Sequence, residues 1–404
     1  MRVAVVTLGG DVLAALDVEP CWTLTEILAS LPEPTRSRGS QPRVLHGSAE
    51  LYPGMSLDDV AASDGSSLTL LFMATLRIVT ASIDRTAKIW SMESGECLQT
   101  LSGHGDWVTS ASFSPDGAKV LTCSRDRTAR IWSASSGASL HTIRTDSTPM
   151  KSAAFLPDGA QVLAVADDRN ARTWNAECGE CLHTLVSREG PVSSVAVSQD
   201  GSKALCASDA SGNYSMHLWS LSSMSCSCVL RGHTGPLTAA ALTPDGRWVL
   251  SASDDRTARL WSVDTGECVH VLLGHTAPVN TAVFSPACVE ILSASDDCTA
   301  RIWSAESGEC LHTLEGHAAP VNTAIFSPNG AQVVTASNDR TSKVWNTATG
   351  KCVSTLHGHL APVTAAVFSF DGSVLVTVSS DGTVRLWNPA SAMCLRTLTG
   401  HSAA

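Results

Sequence analysis

Short runs of apolar residues follow one another along most of the chain, and turn residues separate them. In one stretch, VNTAVFSP begins at Val279, EILSASDDCTARIW ends at Trp303, and SAESGECLHTL ends at Leu314. Alternation of apolar and polar residues with a period of two predicts β-strands, and the Ser, Pro, Asp and Gly residues between the runs predict tight turns. This stretch therefore predicts four short strands in succession.

The four-strand pattern repeats with a fixed period. A Trp ends the third predicted strand of each copy. These eight Trp residues are 42 residues apart except for one interval of 45: Trp90, Trp132, Trp174, Trp219, Trp261, Trp303, Trp345 and Trp387. With a Gly-His pair at its start and the Trp near its end, the unit resembles the WD40 repeat, although Ser or Asn follows the Trp where that family usually has Asp. The resemblance implies an all-β propeller over residues 77–401.

The number of blades is less direct, because the inner strand occurs seven times and the other three strands occur eight times. We favour eight blades, since His401 then lies beside Thr80 and Trp90 and completes the first blade, although that blade still lacks a regular inner strand. The alternative is a seven-bladed ring that leaves Arg77–Trp90 outside as an apolar hairpin, which would expose a large apolar surface.

Four polar positions recur in five of the repeats. The resemblance implies that a His, a Ser or Thr, an Asp and the Trp form one hydrogen-bonded chain in each blade, and a buried Asp needs such donors. A Ser, His and Asp set could also be a hydrolase triad, but five equivalent copies favour a structural role. The sets are His104, Thr122, Asp126 and Trp132; His233, Ser251, Asp255 and Trp261; His275, Ser293, Asp297 and Trp303; His317, Thr335, Asp339 and Trp345; and His359, Thr377, Asp381 and Trp387.

Two repeats depart from this pattern. The repeat that ends at Trp174 has lost the His and carries Ala164 in place of the hydroxyl, while Asp168 remains. The next repeat has Arg188 at the His position and Cys206 at the hydroxyl position. We favour drift in blades that their neighbours support, with a sector adapted to a ligand as the alternative.

Residues 1–72 do not follow the repeat. MRVAVVTLGG and DVLAALDVEP predict two strands around a Gly-Gly turn, Thr23–Leu31 predicts a helix with one apolar face, and SSLTLLF predicts a closing strand. This order resembles ubiquitin, which implies a small α+β ubiquitin-like (β-grasp) domain joined to the propeller by residues 73–76. The resemblance maps the recognition patch to Leu8, to Val44 or Leu45, and to Leu71, with ordinary core residues as the alternative.

The ubiquitin-like domain departs from ubiquitin in two ways. The chain runs on after Phe72 without a free Gly-Gly end, and no lysine precedes Lys88. Conjugation to other proteins needs a free Gly-Gly end, and lysine-linked chains need a lysine in the domain. We therefore expect an embedded docking module.

Composition removes several classes of partner. The formal net charge is −11 and no run is rich in Lys or Arg, which argues against nucleic acid and anionic membranes. No apolar run approaches the ~20 residues of a membrane span. Cys178 and Cys181 have no second ligand pair, so we expect no metal and no cofactor. We expect reduced thiols and a small apolar core role for the cysteines that lie seven residues after a repeated Trp: Cys97, Cys181, Cys268, Cys310, Cys352 and Cys394.

These patterns favour a non-enzymatic scaffold or adaptor that binds other proteins or peptides, in the ubiquitin-proteasome pathway and in the cytoplasm or the nucleus. The alternatives are an enzyme with a propeller body, for which no phosphate loop or isolated nucleophile is present, and a signalling scaffold unrelated to ubiquitin. In the family, the residue before each turn Asp faces the top opening. The candidates at this position are Arg125, Asp167, Asp254 and Asp296, a mildly acidic set that favours a basic peptide, with solvated turn residues as the alternative. Trp107, on a loop, is a further candidate as a binding anchor, and the alternative is that it covers the neighbouring blade.

Overall fold

The computed structural model describes residues 77–401, except 145–148, 167–169, 187–191, 211–212 and 370, together with the backbone of five earlier strands. The chain divides into two compact units, which are Met1–Arg77 with Ser91–Glu93, and Ile78–Trp90 with Ser94–Ala404. The domain boundaries drawn from the sequence, at residues 72 and 77, stay a prediction.

The first unit contains one mixed sheet in the order β2-β1-β5-β3-β4. β1 pairs with β2 in antiparallel and with β5 in parallel, and β3 pairs in antiparallel with both β5 and β4. The helix that we predicted over Thr23–Leu31 lies outside the described residues. The strands are β1 (Arg2–Val6), β2 (Val12–Asp17), β3 (Ser40–His46), β4 (Ala49–Leu51) and β5 (Ser67–Ala74).

The second unit is a propeller of eight sheets, which we call blades 1 to 8 in chain order. Eight blades confirm the favoured count, and the seven-bladed alternative is wrong. Seven blades begin with an inner strand, next to the propeller axis: β9 (Val108–Phe113), β13 (Met150–Phe155), β17 (Val192–Val197), β21 (Leu237–Leu242), β25 (Val279–Phe284), β29 (Val321–Phe326) and β33 (Val363–Phe368).

All eight blades have a second, a third and an outer strand. The second strands are β6 (Arg77–Ala81), β10 (Lys119–Ser124), β14 (Gln161–Ala166), β18 (Lys203–Ala210), β22 (Trp248–Ser253), β26 (Glu290–Ser295), β30 (Gln332–Ser337) and β34 (Leu375–Ser379). The third strands are β7 (Thr86–Ser91), β11 (Thr128–Ser133), β15 (Asn170–Asn175), β19 (Asn213–Ser220), β23 (Ala258–Ser262), β27 (Ala300–Ser304), β31 (Ser342–Asn346) and β35 (Val384–Trp387). The outer strands are β8 (Cys97–Ser102), β12 (Ser139–Arg144), β16 (Cys181–Val186), β20 (Ser225–Leu230), β24 (Cys268–Leu272), β28 (Cys310–Leu314), β32 (Cys352–Leu356) and β36 (Cys394–Leu398).

The core lies between neighbouring blades. Trp345 and Phe326 of blade 7, for example, form one apolar cluster with Leu292 and Ile302 of blade 6. Because each blade is covered on both faces, five consecutive residues of a complete second strand such as β26 are buried, with no alternation. Apolar contact between blades therefore holds the ring together.

Five of the six repeated cysteines do not lie in this core. Cys97, Cys181, Cys310, Cys352 and Cys394 are exposed, so the prediction of a core role was wrong for them, whereas Cys268 is half-buried and packs against the core between blades 4 and 5. These residues begin the outer strands, which form the outer edges of the blades. All cysteines in the described part of the chain are free thiols.

Two further findings concern the described residues alone. They contain no cluster of His, Cys, Asp and Glu that could hold a metal ion. They also contain no helix long and apolar enough to cross a membrane.

Candidate functional site

The four recurring polar residues of blade 6 form one hydrogen-bonded chain. Trp303 Nε1 donates to Ser293 Oγ at 2.9 Å, and Ser293 Oγ lies 2.8 Å from His275 Nε2. His275 Nδ1 lies 2.8 Å from Asp297 Oδ2. An indole N–H can only donate, so the serine hydroxyl accepts it and donates its own proton to Nε2. The imidazole therefore carries its proton on Nδ1 and donates it to the carboxylate.

The same chain occurs in every set named from the sequence. Across the five sets, Trp Nε1 lies 2.8–2.9 Å from the hydroxyl oxygen. The hydroxyl lies 2.7–2.8 Å from His Nε2. His Nδ1 lies 2.7–3.1 Å from the Asp carboxylate. Each set links the loop before an inner strand to the second and third strands of the same blade.

A sixth set joins the two ends of the propeller. His401 Nε2 lies 2.8 Å from Thr80 Oγ1, which also accepts a hydrogen bond from Trp90 Nε1 at 2.8 Å. His401 Nδ1 lies 2.9 Å from Asp84 Oδ2. Because His401 follows the last strand of blade 8 and the other three residues belong to blade 1, this set ties the ring closed.

Each set also contains a threonine that the sequence analysis missed. Thr299 Oγ1 donates to Asp297 Oδ1 at 2.6 Å, and the N–H of Thr276 donates to Oδ2 at 3.0 Å. The signal was present, because an Asp-x-Thr triplet recurs in all six sets. The equivalent threonines are Thr86, Thr128, Thr257, Thr341 and Thr383.

These contacts fix the charge of the blade 6 set. Burial raises the pKa of Asp297, but hydrogen bonds from Thr299, His275 and Thr276 outweigh it and bring the pKa to about 2. Burial lowers the pKa of His275 below 6.5, and the neighbouring carboxylate offsets only part of that effect. At neutral pH the set therefore holds an ionised Asp and a neutral His, as the direction of the hydrogen bonds requires.

The sets cannot work as hydrolase triads. The hydroxyl-bearing residues Thr122, Ser251, Ser293, Thr335 and Thr377 are 0% exposed. Each hydroxyl lies between an indole and an imidazole, so no substrate carbonyl can approach it. This geometry supports a structural role for the sets.

Blades 3 and 4 are built differently. In blade 3, Ala164 is buried, Trp174 is half-buried, and the buried Thr173 hydroxyl has no hydrogen-bond partner within the described part of the chain. Asp167 and Asp168 of this blade lie outside the described residues. These features leave blade 3 without the hydroxyl link of the complete sets.

In blade 4, Cys206 lies opposite His217 of β19, and both are buried. Burial raises the pKa of the Cys206 thiol to about 12, which keeps it protonated and unreactive. His217 does not stand at any position of the repeated set, so no signal in the sequence marked it. Arg188 lies outside the described residues.

An exposed aromatic residue lies in the loop directly before β9, the inner strand of blade 2. Trp107 is 42% exposed, and the Arg125 guanidinium carbon lies 4.4 Å from the centroid of its ring. The backbone N–H of Arg125 donates a hydrogen bond to the backbone carbonyl of Trp107 at 3.0 Å. In blades 5 to 8 the same bond is accepted by a proline carbonyl, at Pro236, Pro278, Pro320 and Pro362. Blade 2 therefore presents a stacked Trp-Arg pair where four other blades present a proline.

Two of the acidic candidates lie exposed on neighbouring blades. Asp254 and Asp296 stand one residue before the turn Asp of blades 5 and 6. Asp296 Oδ1 accepts a hydrogen bond from Asn280 Nδ2 at 2.8 Å, which orients that carboxylate. These two exposed carboxylates contrast with the Trp-Arg pair of blade 2.

The patch proposed for the first unit is only partly described. Leu8 lies outside the described residues. Val44 of β3 pairs with Leu70, whereas Leu71 of β5 pairs with Arg43. Val44 and Leu71 are thus not register partners.

Comparison with known proteins identifies the repeat. The family model for the WD domain, G-beta repeat, matches residues 95–133, 179–220, 224–262, 266–304, 308–346 and 350–388. These matches leave out residues 134–178, which include most of blade 3. More than half of the chain is therefore covered by one family.

Individual relatives match short segments. A nuclear distribution protein PAC1 of Mycosarcoma maydis is 45% identical over 62 residues, which are 15% of this chain and 13% of the relative. A Lissencephaly-1 homolog of Heterostelium pallidum is 50% identical over 40 residues, 10% of each chain. Ribosome assembly protein 4 of Chaetomium thermophilum is 47% identical over 45 residues, 11% of this chain and 9% of the relative. The chain thus matches only about a tenth of the length of these relatives.

Proposed function

Because the chain belongs to the WD40 family of repeat proteins, we propose that it is a non-enzymatic scaffold that holds other proteins on its propeller. WD40 propellers are in general protein-interaction scaffolds. The six hydrogen-bonded sets make a rigid frame, and loops on a rigid frame are where proteins place binding residues. The relatives' names point to different assemblies, and each match covers little more than one repeat, so they select no pathway for this chain.

The observation that carries this proposal is the Trp-Arg pair on blade 2. Trp and Arg are the residues that most often dominate binding energy at protein interfaces, and Trp107 keeps 42% of its surface exposed. Asp254 and Asp296 add negative charge on blades 5 and 6 of a chain whose net charge is −11. We therefore propose that the partner offers an apolar pocket or loop to Trp107 and a basic segment to the two carboxylates.

The test is capture of partners from cell extract by full-length protein and by two variants. Trp107→Ala and the double variant Asp254→Asn/Asp296→Asn should each lose the same partners, by at least about tenfold. Asp264→Asn is the matched control, because Asp264 is exposed in the turn at the other end of blade 5. Unchanged capture by both test variants would exclude this surface as the binding site.

We further propose that residues 1–72 are an embedded ubiquitin-like docking module that links the propeller to the ubiquitin-proteasome pathway. Besides the sequence resemblance, the strand order β2-β1-β5-β3-β4, with β1 and β5 parallel, supports a β-grasp sheet. Full-length protein should then retain proteasome or ligase components that a variant lacking residues 1–72 loses. If both proteins retain the same set, the scaffold belongs to another pathway and the ubiquitin link fails.

The same module should not be activated for conjugation. The chain continues after Phe72 without a free Gly-Gly end, so the protein should form no thioester with a ubiquitin-activating enzyme. Incubation with that enzyme and ATP, followed by non-reducing electrophoresis, checks this, with ubiquitin as the positive control. An adduct ending near Phe72 would contradict the embedded arrangement. We place the protein in the cytoplasm or nucleus, where that pathway operates.

A further inference from the structure

Blade 1 differs from the other seven blades in its strand count. Its sheet has the order β6-β7-β8, so the second strand β6 stands at the inner edge of the sheet. In every other blade the equivalent strand lies between an inner strand and a third strand, as β26 lies between β25 and β27. Within the described residues, no strand pairs with Ile78–Ala81 at the inner edge of β6.

Side chains on both sides of this position are more exposed than their equivalents. Val79 and Ala81 of β6 are half-buried, whereas Leu292 and Ala294 at the same positions of blade 6 are 0% exposed. On the facing side, Val378 of blade 8 is also half-buried. An inner strand in blade 1, such as the other seven blades contain, would cover all three side chains.

A cleft marks the same place. It has a volume of about 120 Å³, and its walls come from Thr80–Ser82 on blade 1 and from blade 8, including Thr364, Val378 and Ser380. His401, which follows the last strand of blade 8, also lines the cleft. None of its lining residues is Lys, Arg, Asp or Glu. This lining favours an uncharged occupant.

We propose that the inner edge of β6 is a strand-docking site, at which an extended, uncharged segment of a partner protein pairs with blade 1 as its inner strand. Addition of a strand to an exposed sheet edge is an established mode of peptide recognition, in which backbone hydrogen bonds give affinity and side-chain pockets give specificity. This site goes beyond the scaffold surface around Trp107, because either site could bind while the other does not.

The seven inner strands of the protein define the sequence that fits. Their first residue is Val or Leu in six strands and Met150 in the seventh, and Val279 and Val321 are buried. The fourth residue is Ala in six strands, as Ala282 and Ala324 are, and Val195 in the seventh. The sixth is apolar in all seven, and Phe326 packs into the core between blades. We therefore expect a partner segment with an aliphatic first residue, a small fourth residue and an apolar sixth residue.

Neighbouring blades define how far the added ladder can run. At one end, the N–H of Val108 on blade 2 already donates to the Ser82 carbonyl at 3.1 Å, so the ladder runs along Ile78–Ala81. In blades 6 and 7, Asn280 and Asn322 donate to a backbone carbonyl of the next inner strand. Thr364 is the second residue of the blade 8 inner strand, as Asn280 and Asn322 are in theirs. Its hydroxyl donates to the Val378 carbonyl within its own blade, as the Thr109 hydroxyl donates to the Cys123 carbonyl in blade 2. Thr364 is the side chain available to a docked strand.

The chain's own best candidate for this position is committed elsewhere. Residues 66–71 stand 42 residues before Val108–Phe113, which is the register of an inner strand. However, β5 (Ser67–Ala74) pairs with β1 in parallel and with β3 in antiparallel. The occupant is therefore proposed to come from another protein.

The test uses full-length protein and a fluorescent peptide with the sequence of Thr276–Ser285, which contains the inner strand of blade 6. The peptide should bind saturably, and a control peptide with Thr281→Pro and Ala282→Pro should bind at least about tenfold more weakly, because one of two adjacent prolines must remove a ladder donor. Trp107→Ala should leave peptide binding unchanged, which separates this site from the surface proposed above. Equal binding of both peptides would overturn strand pairing.

A second variant fills the site in cis. Replacing Ser402–Ala404 with the sequence of Thr276–Phe284 places an inner strand directly after His401, as one follows His275 in blade 6. This graft should raise the melting temperature by about 3 °C or more and abolish peptide binding. The same graft with the two prolines is the control and should do neither. If the graft changes neither property and the native protein binds no peptide, the position is already filled by the chain itself and the proposal is wrong.

Discussion

Blades 6 and 3 share a fold but not the hydrogen-bonded set. Blade 6 links Trp303, Ser293, His275 and Asp297 in one chain, and its Trp is 1% exposed. Blade 3 has Ala164 where the hydroxyl should be, and its Trp174 is half-buried. Both blades nevertheless form four-stranded sheets in the same antiparallel order.

The difference shows which forces build a blade and which ones stiffen it. Leu163 and Val165 of blade 3 are 0% exposed and lie in a cluster with residues of blade 4. Apolar contact with the neighbouring blades is thus sufficient to form the sheet. The polar set adds stability within one blade by tying a loop to two strands, so its loss is tolerated where neighbours are intact.

The largest expected effect comes from removing the carboxylate of a complete set. Asp297→Ala leaves donors of His275, Thr299 and Thr276 without an acceptor, and each unsatisfied group costs roughly 1–3 kcal/mol. We expect the free energy of unfolding in chemical denaturation to fall by about 2–4 kcal/mol.

Asp168→Ala is the matched substitution in the incomplete blade. Asp168 has no His or hydroxyl partner in the sequence of its repeat, so we expect a loss of about 1 kcal/mol or less. Asp264→Ala, at an exposed turn, should change stability by less than about 0.5 kcal/mol. If Asp297→Ala and Asp168→Ala are equally harmful, the hydrogen-bonded set does not distinguish the two blades. If Asp297→Ala instead abolishes an activity at full stability, the scaffold role fails.

The next effect concerns the set that closes the ring. Deleting Gly400–Ala404 removes His401 and leaves Asp84 and Thr80 without the imidazole, at a cost of roughly 1–3 kcal/mol and a lower melting temperature. Deleting only Ala404 is the control and should have little effect, because it keeps Ser402, which follows His401 as Thr276 follows His275. Equal melting temperatures for the wild type and the longer deletion would show that this sixth set does not hold the ring.

A smaller change should stabilise blade 3. Thr173 is 0% exposed and its hydroxyl has no partner in the described part of the chain, so Thr173→Val removes an unsatisfied group at nearly constant shape. We expect a gain of about 1 kcal/mol in thermal or chemical unfolding. The same change at Thr122, whose hydroxyl bonds to Trp132 and His104, should be destabilising. A loss of stability at Thr173 would mean that its hydroxyl does have a partner.

Mild acidification should give the smallest and most evenly distributed effect. Burial lowers the pKa of His104, His275, His317 and His359 below 6.5, so between those values and 6.5 the unfolded chain binds more protons than the folded one. Stability is therefore complete above pH 6.5 and falls as the pH drops below it. The melting temperature measured from pH 7.5 to pH 5.5 checks this, and a constant or rising value would contradict the neutral histidines.

A second loss of stability should follow at lower pH. The pKa of Asp297 is about 2 in the folded protein against 3.8 for the free side chain, so its contribution is present above pH 3.8 and is lost as the pH falls toward 2. Asp126 and Asp339 have the same pKa of about 2 and add to this effect. The acid limb of the unfolding profile should therefore have two stages.

The period of the Trp residues and the spacing of the recurring His and Asp determined the repeat and four members of each hydrogen-bonded set, and they favoured eight blades over seven. This was possible because a repeat places the same residue in the same environment many times, so one copy explains the others. The Asp-x-Thr triplet was equally readable, and it was missed only because the threonine lies outside the family pattern.

The tertiary structure alone decided features that depend on neighbours across blades. The cysteines seven residues after each Trp look like core residues in sequence, yet they begin the outer strands, where five of the six are exposed. Likewise, Trp107 was a candidate binding residue in sequence, and the tertiary structure added its exposure and its contact with the Arg125 guanidinium. Whether residues 66–71 form β5 or the inner strand of blade 1 depends on which sheet offers the better partner, and a strand's own sequence cannot specify that, because pairing energy belongs to two strands together.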